Sequence, residues 1–148
     1  MVYRETRNSA DEAVFDAGFA AALGAVHRRG NITKLTARPS PCGRYIAVHA
    51  DAYPTALFIY NASSLRFCAA LLLAHPVLGI SWEPGTDSPI VYCTALDSGN
   101  VYAWQAEGAQ CLPHPERGFR VEQVEWRRDG GCCVLRGRQD WCVAVRSH

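Results

Sequence analysis

The sequence has almost no net charge of either sign, because 15 lysines and arginines stand against 14 aspartates and glutamates, for a formal charge of +1. Proteins dedicated to nucleic acid or to a membrane surface normally carry a basic excess, so we predict neither partner. The apolar stretches at 14–26 and 67–80 are shorter than the roughly 18 residues that a membrane-spanning helix needs. The first residues lack the apolar region of a secretory signal, which predicts a cytoplasmic protein.

Motifs of the common catalytic and cofactor sites are also absent. The sequence has no Gly-rich phosphate loop, no Gly-x-Ser-x-Gly turn and no His-Glu-x-x-His metal motif. Its five histidines are scattered over the whole chain rather than grouped. We therefore predict a protein that is not an enzyme and that needs no cofactor.

Cysteine is plentiful, but its spacing is not that of the common zinc sites. The seven cysteines are odd in number, and no two of them form a Cys-x-x-Cys pair. Several lie within apolar runs, where a reduced thiol behaves as a small apolar side chain. We predict buried free thiols in a reducing compartment. The alternative is a metal site built from Cys132, Cys133, Cys142 and either His114 or His148.

The first 30 residues differ in composition from the rest and are predicted to form a separate helical or linker segment. They contain an alanine cluster at 17–25 and none of the eight prolines. Ser9 and Glu12 have the spacing of a helix capping box, and apolar residues then recur at roughly helical spacing. We predict an α-helix over about 10–27. It would lie on the surface as a linker or, alternatively, bind a partner through its apolar face.

From residue 31 the pattern changes to short strands separated by turn residues, and this second region runs to residue 148. Proline, glycine, aspartate and serine occupy the turns. Runs of β-branched and aromatic residues favour strands, here at 34–37, 45–49, 56–60, 66–72, 79–82, 90–94, 101–104, 123–126, 132–135 and 141–145.

These strands recur in three blocks with a regular period. Pro41 and Pro84, which follow the first strand of their blocks, are 43 residues apart, and Trp82 and Trp126 are 44 apart. A period of about 40–45 residues with three or four strands per unit is typical of the blades of a WD-repeat β-propeller. The sequence therefore predicts an all-β fold, a partial WD40-type β-propeller of about three blades, with an N-terminal α-helix in front of it.

Pieces of the WD-repeat motif occur at the matching places. Pro-Cys-Gly at 41–43 and Arg-Asp-Gly at 128–130 occupy the turn where Pro-Asp-Gly is usual. Tyr-Asn at 60–61 and Trp-Gln at 104–105 stand where Trp-Asp usually ends the third strand. The histidine and aspartate positions of the usual hydrogen-bond network are only partly filled, and their candidates are His75, His114 and Asp97.

Longer stretches carry a closer resemblance. The loop His-Ala-Asp-Ala-Tyr-Pro-Thr at 49–55 is similar to an Arg-Asn-Asp-Asn-x-Pro-Thr loop, with Asp51, Pro54 and Thr55 at matching positions and both asparagines replaced. Leu-Phe-Ile-Tyr-Asn at 57–61 looks like Val-Trp-Val-Trp-Asp, and Trp-Glu-Pro at 82–84 looks like Trp-Asp-Pro. With these motifs, the run 35–145 resembles the C-terminal propeller portion of the WD repeat-containing protein eight family.

The resemblance implies a non-catalytic scaffold at the centrosome, basal body and spindle pole. Members of that family help to anchor spindle microtubules and to assemble cilia, and they join a coiled-coil spindle-anchoring protein. They are longer than this chain and hold enough blades for closed rings. We therefore expect a fragment or truncated gene model, or a subunit that completes its ring with another chain. A generic WD40 adaptor of another complex is the alternative function.

Two loop regions are candidate partner-binding sites, because binding residues concentrate on loops carried by a rigid scaffold. The first region lies between two strands and consists of Asp51, Tyr53, Pro54 and Thr55. The second combines arginines with an aromatic residue and consists of Arg117, Phe119 and Arg120. The alternatives are a simple turn fixed by its proline, and solvated loops whose charge nearby acidic residues balance.

Large aromatic residues recur at close to the blade spacing, which predicts packing between blades rather than ligand stacking. They are Trp82, Trp104, Trp126, Trp141 and Tyr60. An open set of blades would leave one sheet face uncovered at each end, and uncovered apolar faces favour association. We therefore also expect self-association through the open blade faces.

Overall fold

The computed structural model describes residues 2–4, 34–112 and 118–145, and all regular secondary structure within these ranges is β-strand. The predicted all-β fold is confirmed. The helix predicted over 10–27 and the division near residue 30 lie outside the described residues. Within the described ranges, no helix has the length and apolar character that crossing a membrane would require.

Ten of the twelve strands in the described residues follow the predicted order and nearly the predicted bounds. In chain order they are β1 (Val2–Arg4), β2 (Leu35–Pro39), β3 (Tyr45–Ala50), β4 (Ala56–Asn61), β5 (Phe67–Leu72), β6 (Val77–Trp82), β7 (Val91–Ala95), β8 (Val101–Gln105), β9 (Gly108–Leu112), β10 (Gln123–Trp126), β11 (Cys132–Arg136) and β12 (Trp141–Val145).

Three sheets divide these strands in chain order. The first has the order β1-β5-β4-β3-β2, the second β6-β7-β8-β9 and the third β10-β11-β12. Neighbouring strands are antiparallel, except that β1 pairs in parallel with β5. Consecutive antiparallel strands joined by short turns are the layout expected of propeller blades.

Two strands were missing from the sequence-based assignment. β9 is Gly-Ala-Gln-Cys-Leu, which has little of the β-branched and aromatic content that marks a strand. β1 has only three residues and pairs with β5, more than 60 positions along the chain, in the register Val2 opposite Ala70. β1 is a strand because it pairs with β5, and the local sequence pattern carries no information about that pairing.

The main core lies between the first and second sheets. The first sheet contributes Leu57, Ile59 and Leu71, which have no exposed surface, and the second contributes Val91 and Tyr102. Every second residue of a strand faces the same side of its sheet, so one face of each central strand enters this core. At about 25 cal/mol per Å² of apolar surface removed from water, this interface is a main source of the stability of the fold.

A smaller core lies between the second and third sheets. Val101 of β8 is buried with Val121, Val124 and Cys133, and Tyr92 and Trp126 pack around them. The ring centroids of Tyr92 and Trp126 are 5.1 Å apart, so an aromatic pair joins the two sheets. The cluster uses one face of the third sheet.

The first turns of the second and third sheets also touch. Gly130 has a φ of +80°, and a Cβ atom added there would lie 2.2 Å from the carbonyl oxygen of Pro84. Only glycine combines this left-handed backbone with so close an approach. The Asp-Gly turn that the sequence suggested therefore also determines how closely the two sheets pack.

The outer faces of the first and third sheets do not both fit the expectation that they would be open to solvent. In the first sheet, Ala56, Phe58, Ala70 and Leu72 point away from the main core and are nevertheless buried, so the expectation is wrong for the central strands there. Tyr53 contributes to that burial, because it leaves the loop after β3 and packs edge-on against Phe58 with ring centroids 6.1 Å apart.

In the third sheet, the expectation of an open face holds. The side chains of Trp141, Val143 and Val145 on β12 are 70%, 54% and 73% exposed. Their neighbours across the strand pair are Arg136, Val134 and Cys132, and none of these three is buried. The outer side of this sheet is therefore apolar along β12 and open to solvent.

Candidate functional site

A cavity of about 430 Å³ lies where the first strands of the three sheets meet. Strands β2, β6 and β10 form its wall, and β3, β7 and β11 add side chains from behind. The inner strand of a blade faces the propeller axis, so repetition of the blade brings residues from three distant parts of the chain to one place.

Three charged side chains line this cavity, namely Arg38, Arg136 and Glu122. Arg38 on β2 is exposed, and its guanidinium has no hydrogen-bond or ion-pair partner among the described residues. Arg136 on β11 donates to the amide oxygen of Gln123 and forms an ion pair with Glu125, whose Oε1 is 3.4 Å from its Nη2. Arg38 is therefore the side chain best placed to bind an acidic group.

Polar contacts fix the opposite side of the cavity. The hydroxyl of the buried Thr94 donates to the backbone carbonyl of Glu122 over 2.7 Å, which joins the second sheet to the segment before the third. A Cβ atom at Gly79 would lie 2.7 Å from the Thr94 hydroxyl oxygen, so only glycine lets β6 pass so close. A 3.1 Å hydrogen bond between Nδ1 of His49 and the carbonyl oxygen of Ala56 fixes the orientation of the His49 ring.

Sequence reasoning did not select any of these cavity residues as a site. Their types are common in loops and strands, and no motif marks them. The available signal was the repeat itself, because the first strand of each blade is expected to line the axis. Charged residues on those strands, of which Arg38 is one, were the positions to examine.

The predicted loop at 51–55 lies at the turn between β3 and β4, and its backbone links two sheets. The carbonyl of Pro54 accepts a 2.7 Å hydrogen bond from the amide of Val77, the first residue of β6. The carbonyl of Thr55 accepts one of 2.8 Å from Leu73, at the end of the first sheet. Asp51 is exposed, whereas Tyr53 is half-buried against Phe58. Partner binding by these residues stays a prediction.

The second predicted region lies beside the equivalent turn of the second sheet. Arg120 is exposed, and its Nη1 donates to the carbonyl of Asp97 over 3.4 Å. Its stem passes so close to Gly99 that a Cβ there would lie 2.7 Å from the Arg120 Cγ. Phe119 is half-buried in the smaller core, and Arg117 lies outside the described residues.

Backbone hydrogen bonds place both loop regions on one edge of the sheets, which we call the rim (residues 51–55, 74–76, 96–99 and 118–121). The backbone amide of Val77 donates to the carbonyl of Pro54 (2.7 Å), that of Leu96 to the carbonyl of Pro76 (2.8 Å), and that of Val121 to the carbonyl of Gly99 (3.2 Å). The structure thus brings the two predicted regions to the same edge, although they are more than 60 residues apart in sequence.

The large aromatic residues divide into three situations. Trp82 and Trp104 are buried in the main core with ring centroids 6.5 Å apart, and Tyr45 of the first sheet packs edge-on against Trp104. Trp82 also ties the first two sheets, because its Nε1 donates to the carbonyl of Arg38 over 2.8 Å. Trp126 lies between the second and third sheets.

Two of the predicted packing residues do not lie between blades. Tyr60 faces away from the second sheet and packs edge-on against Phe67, with ring centroids 6.0 Å apart. Trp141 lies on β12, at the open side of the third sheet, and is mostly exposed. The spacing of both residues fits the blade period, but alternation along a strand decides which face a side chain takes, and a period of about 44 does not specify that face.

The described cysteines are all free thiols and range from exposed to fully buried. Among the described residues, no group of three or more histidine, cysteine, aspartate or glutamate side chains is placed to hold a metal ion. His114 and His148, which the metal alternative requires, lie outside these residues. Burial, together with the charges of the neighbouring Cys132, Cys142 and Glu83, raises the pKa of the Cys133 thiol to about 11.

Cys42, in the first turn of the first sheet, has the opposite character. Slight burial raises its pKa, but hydrogen bonds from Ser40 and Arg44 and the charge of Arg44 outweigh that effect, so its pKa falls from 9.0 to about 7. Its sulfur lies 3.5 Å from the Ser40 hydroxyl. A thiol that is partly ionised at neutral pH and exposed is reactive toward alkylating reagents.

Comparison with known proteins identifies the type of fold. No protein-family model matches the chain. An uncharacterized WD repeat-containing protein of Schizosaccharomyces pombe is 22% identical over 92 residues, covering 55% of this chain and 19% of that protein. A WD40 propeller in the crystal structure of the mitotic checkpoint complex is also similar, with a TM-score of 0.55 and 13% sequence identity. The matched region covers 76% of this chain and 36% of that propeller chain. The chain folds as blades of a WD40-type β-propeller.

WD40-type folds generally serve as non-enzymatic scaffolds for protein interactions. The matched part of this chain spans 19% of the fission-yeast protein and 36% of the chain in the mitotic checkpoint complex. The activity and partners of a whole propeller protein are therefore matters for proposal.

Proposed function

We propose that this chain belongs to a WD-repeat scaffold that holds protein partners at the centrosome, basal body or spindle pole. The WD40-type fold supports the general part of the proposal, since such folds mostly bind other proteins. The loop at 49–55 supports the cellular location, because generic WD repeats lack it and it resembles the loop of the centrosomal family. The role would be to anchor microtubules or to help assemble the spindle or cilium.

The observation that carries the binding proposal is the arginine-bearing cavity at the convergence of β2, β6 and β10. Its residues come from all three sheets, so it exists only in the folded blades. Arg38 is exposed there without an ion-pair partner among the described residues, whereas Glu122 at the opposite wall lies 3.5 Å from the Nε of Arg138. The cavity therefore favours a partner that presents a carboxylate, such as an acidic segment of a coiled-coil spindle-anchoring protein.

The test of the cavity is the charge reversal Arg38→Glu in the tagged chain. Removing a complementary charge and adding a like charge is expected to weaken capture of an acidic partner peptide by about tenfold or more. Arg66→Glu is the matched control, because Arg66 is also exposed and lies at the turn between β4 and β5, away from the cavity lining. Equal loss in both variants, or no loss in either, would contradict the assignment of the cavity.

The loop at 51–55 is tested by Asp51→Lys rather than by changing Tyr53. Asp51 is exposed, so its substitution leaves the core intact, whereas a change at Tyr53 would also remove a contact with Phe58. A partner that binds this loop is expected to be captured less well by the Asp51→Lys variant. The circular dichroism spectrum of the variant should stay unchanged, because its fold is intact.

The cellular part of the proposal needs a separate measurement. The full-length protein, tagged and expressed at its natural level, should colocalise with a marker of the pericentriolar material and should co-purify with a coiled-coil protein of the spindle pole. A diffuse distribution together with recovery in another stable complex would favour the alternative, an adaptor subunit that works elsewhere.

A further inference from the structure

Leu78 interrupts the regular pairing of the first strand of the second sheet. Its neighbours Val77 and Gly79 pair with two successive residues of β7, at positions 95 and 94. Leu78 is therefore an extra residue on β6, and the strand has a β-bulge at this point. A β-bulge changes the direction of side chains along its strand, and bulges are frequent next to binding sites.

The packing on either side of Leu78 shows the effect of the bulge. Val77 and Ile80 both pack against the main core, although residues three apart in a regular strand face opposite sides of the sheet. The extra residue makes this possible, and its own side chain is left out of the core. Leu78 is 44% exposed and lines the cavity that also holds Arg38. The bulge thus adds an apolar side chain to a cavity lined by charged residues.

Strand β6 runs along the cavity and connects the rim to Arg38. At its first residue, the amide of Val77 donates to the carbonyl of Pro54 in the rim. At its last residue, the indole of Trp82 donates to the carbonyl of Arg38. Leu78 and Trp82 are four residues apart, which corresponds to about 13 Å along a strand. Leu78 therefore lies at the rim end of the cavity, and Arg38 lies at the other end.

We propose that the cavity binds an extended acidic peptide segment at two points, with an apolar side chain of the segment against Leu78 and a carboxylate at Arg38. The inference rests on the proposed function, because it specifies the partner of the same cavity. Arg38 supplies the charge, since Arg136 and Glu122 are each already paired with a neighbouring charged side chain. Leu78 supplies exposed apolar surface, and its removal from water by the segment is favourable.

The distance between the two points sets the spacing expected in the segment. An extended chain places residues four apart on the same face and about 13 Å from each other. An α-helix with its side chains is about 10–12 Å wide, which is more than a cavity of about 430 Å³ offers over that length. The segment should therefore be extended, with an apolar residue and an acidic residue four positions apart.

Fluorescence polarisation of the 148-residue chain with short labelled peptides tests the proposal. The parent peptide contains Leu-Ser-Gly-Ser-Glu, and its two companions replace the leucine by serine or the glutamate by glutamine. The parent is also made in the reverse order, and the tighter binder of the two is used. Leu78→Ala should weaken binding of the parent about fivefold or more, because apolar contact area is lost. The same variant should bind the serine companion as well as the unmodified chain does.

Two further variants serve as controls. Leu78→Met keeps an apolar side chain of similar volume and should retain most of the affinity for the parent peptide. Leu35→Ala should leave binding unchanged, because Leu35 is 56% exposed on β2 but does not line the cavity. Circular dichroism of every variant establishes that it folds. Unchanged binding of the parent by Leu78→Ala, or an equal loss for the parent and the serine companion, would overturn the proposal.

The glutamine companion separates this inference from the proposed function. If Arg38→Glu and the glutamine companion each weaken binding while Leu78→Ala and the serine companion do not, the acidic site stands and the apolar contact is overturned. If neither Arg38→Glu nor the glutamine companion weakens binding, the proposed function of the cavity fails with the inference. A parent peptide that does not bind at about 1 mM also overturns the two-point site, and capture of the partner by Arg38→Glu then decides the proposed function by itself.

Discussion

The first and third sheets begin alike and end differently. Both start with three antiparallel strands whose first turn contains a glycine at positive φ. The first sheet then adds β5 and β1 and buries residues on both faces of its central strands. The third adds nothing among the described residues, buries one face and leaves β12 open. A similar local pattern thus produces a sheet buried on both faces in one place and a sheet with an exposed outer face in another.

The difference indicates how stability and function are distributed. Truncation of a central side chain on either face of the first sheet removes buried contacts, so this sheet should carry much of the free energy of unfolding. The third sheet is held mainly by its contact with the second. Four experiments, taken from the largest expected effect to the smallest, test this comparison.

The largest effect is expected from Leu57→Ala compared with Val145→Ala. Leu57 has no exposed surface in the main core, and its truncation should lower the free energy of unfolding by about 3 kcal/mol, which combines lost transfer energy with a cavity. Val145 is 73% exposed on β12, and its truncation should cost less than about 0.5 kcal/mol. Urea unfolding followed by circular dichroism at low protein concentration measures both, and equal losses would remove the contrast between the sheets.

Gly130→Ala should disrupt the contact that holds the third sheet against the second. The substitution strains a residue at φ +80° and drives a methyl group into the Pro84 carbonyl, so we expect a loss of about 2–3 kcal/mol. Gly43→Ala is the control, because Gly43 has a similar φ of +73° and open space around it. The control should lose about 1 kcal/mol, so a loss in Gly130→Ala no larger than in Gly43→Ala would mean that the sheets separate slightly at no cost.

The substitutions Trp82→Phe and Trp126→Phe compare the boundary between the first and second sheets with the boundary between the second and third. The two tryptophans differ in whether the indole N–H has a hydrogen-bond partner. The Trp82 Nε1 donates to Arg38, whereas the buried Trp126 Nε1 has no hydrogen-bond partner in the described part of the chain. Both substitutions remove similar apolar area, but only Trp82→Phe leaves a carbonyl unpaired. It should therefore cost about 1 kcal/mol more, as measured by thermal unfolding. The reverse order would show that the second boundary is the more dependent on its tryptophan.

The smallest effect concerns thiol chemistry and should leave stability almost unchanged. Cys42 in the first sheet has a pKa of about 7, so its alkylation by iodoacetamide should rise with pH and level off about one unit above 7. Cys133 in the third sheet, with a pKa of about 11, should react slowly and still accelerate at pH 10. Peptide mass spectrometry after timed labelling reads both sites, and Arg44→Ala should move the Cys42 inflection to higher pH. An unchanged inflection would exclude Arg44 as the cause.

Much of the fold could be predicted from the sequence because local chemistry specifies strands and turns. Runs of β-branched and aromatic residues gave β3, β4 and β8 almost to the residue, and the 44-residue distance from Trp82 to Trp126 indicated blades. β1 and β9 were missed because pairing partners rather than composition make them strands. The loop at 51–55 was found, but its hydrogen bonds to the next sheet could not be, because they join residues that no local pattern connects.

The candidate site was much less predictable. Arg38, Thr94 and Arg136 meet at one cavity only after the three sheets pack together. No motif in the sequence around any of them indicates a binding site. Trp141 was assigned to packing by its spacing, whereas its position on the last strand leaves it exposed. A residue's environment depends on which neighbours the tertiary structure supplies, and that information is spread over the whole chain.

The sequence by itself determined the all-β class, the period of the blades and the positions of most strands and turns. These properties follow from the conformational preferences of residues close in sequence. Only the tertiary structure decided that the first sheet is buried on both faces, that the rim joins two distant loops, and that the side chains of Trp141, Val143 and Val145 are exposed. Those features depend on packing and hydrogen bonds between residues far apart in the chain, for which no local preference exists.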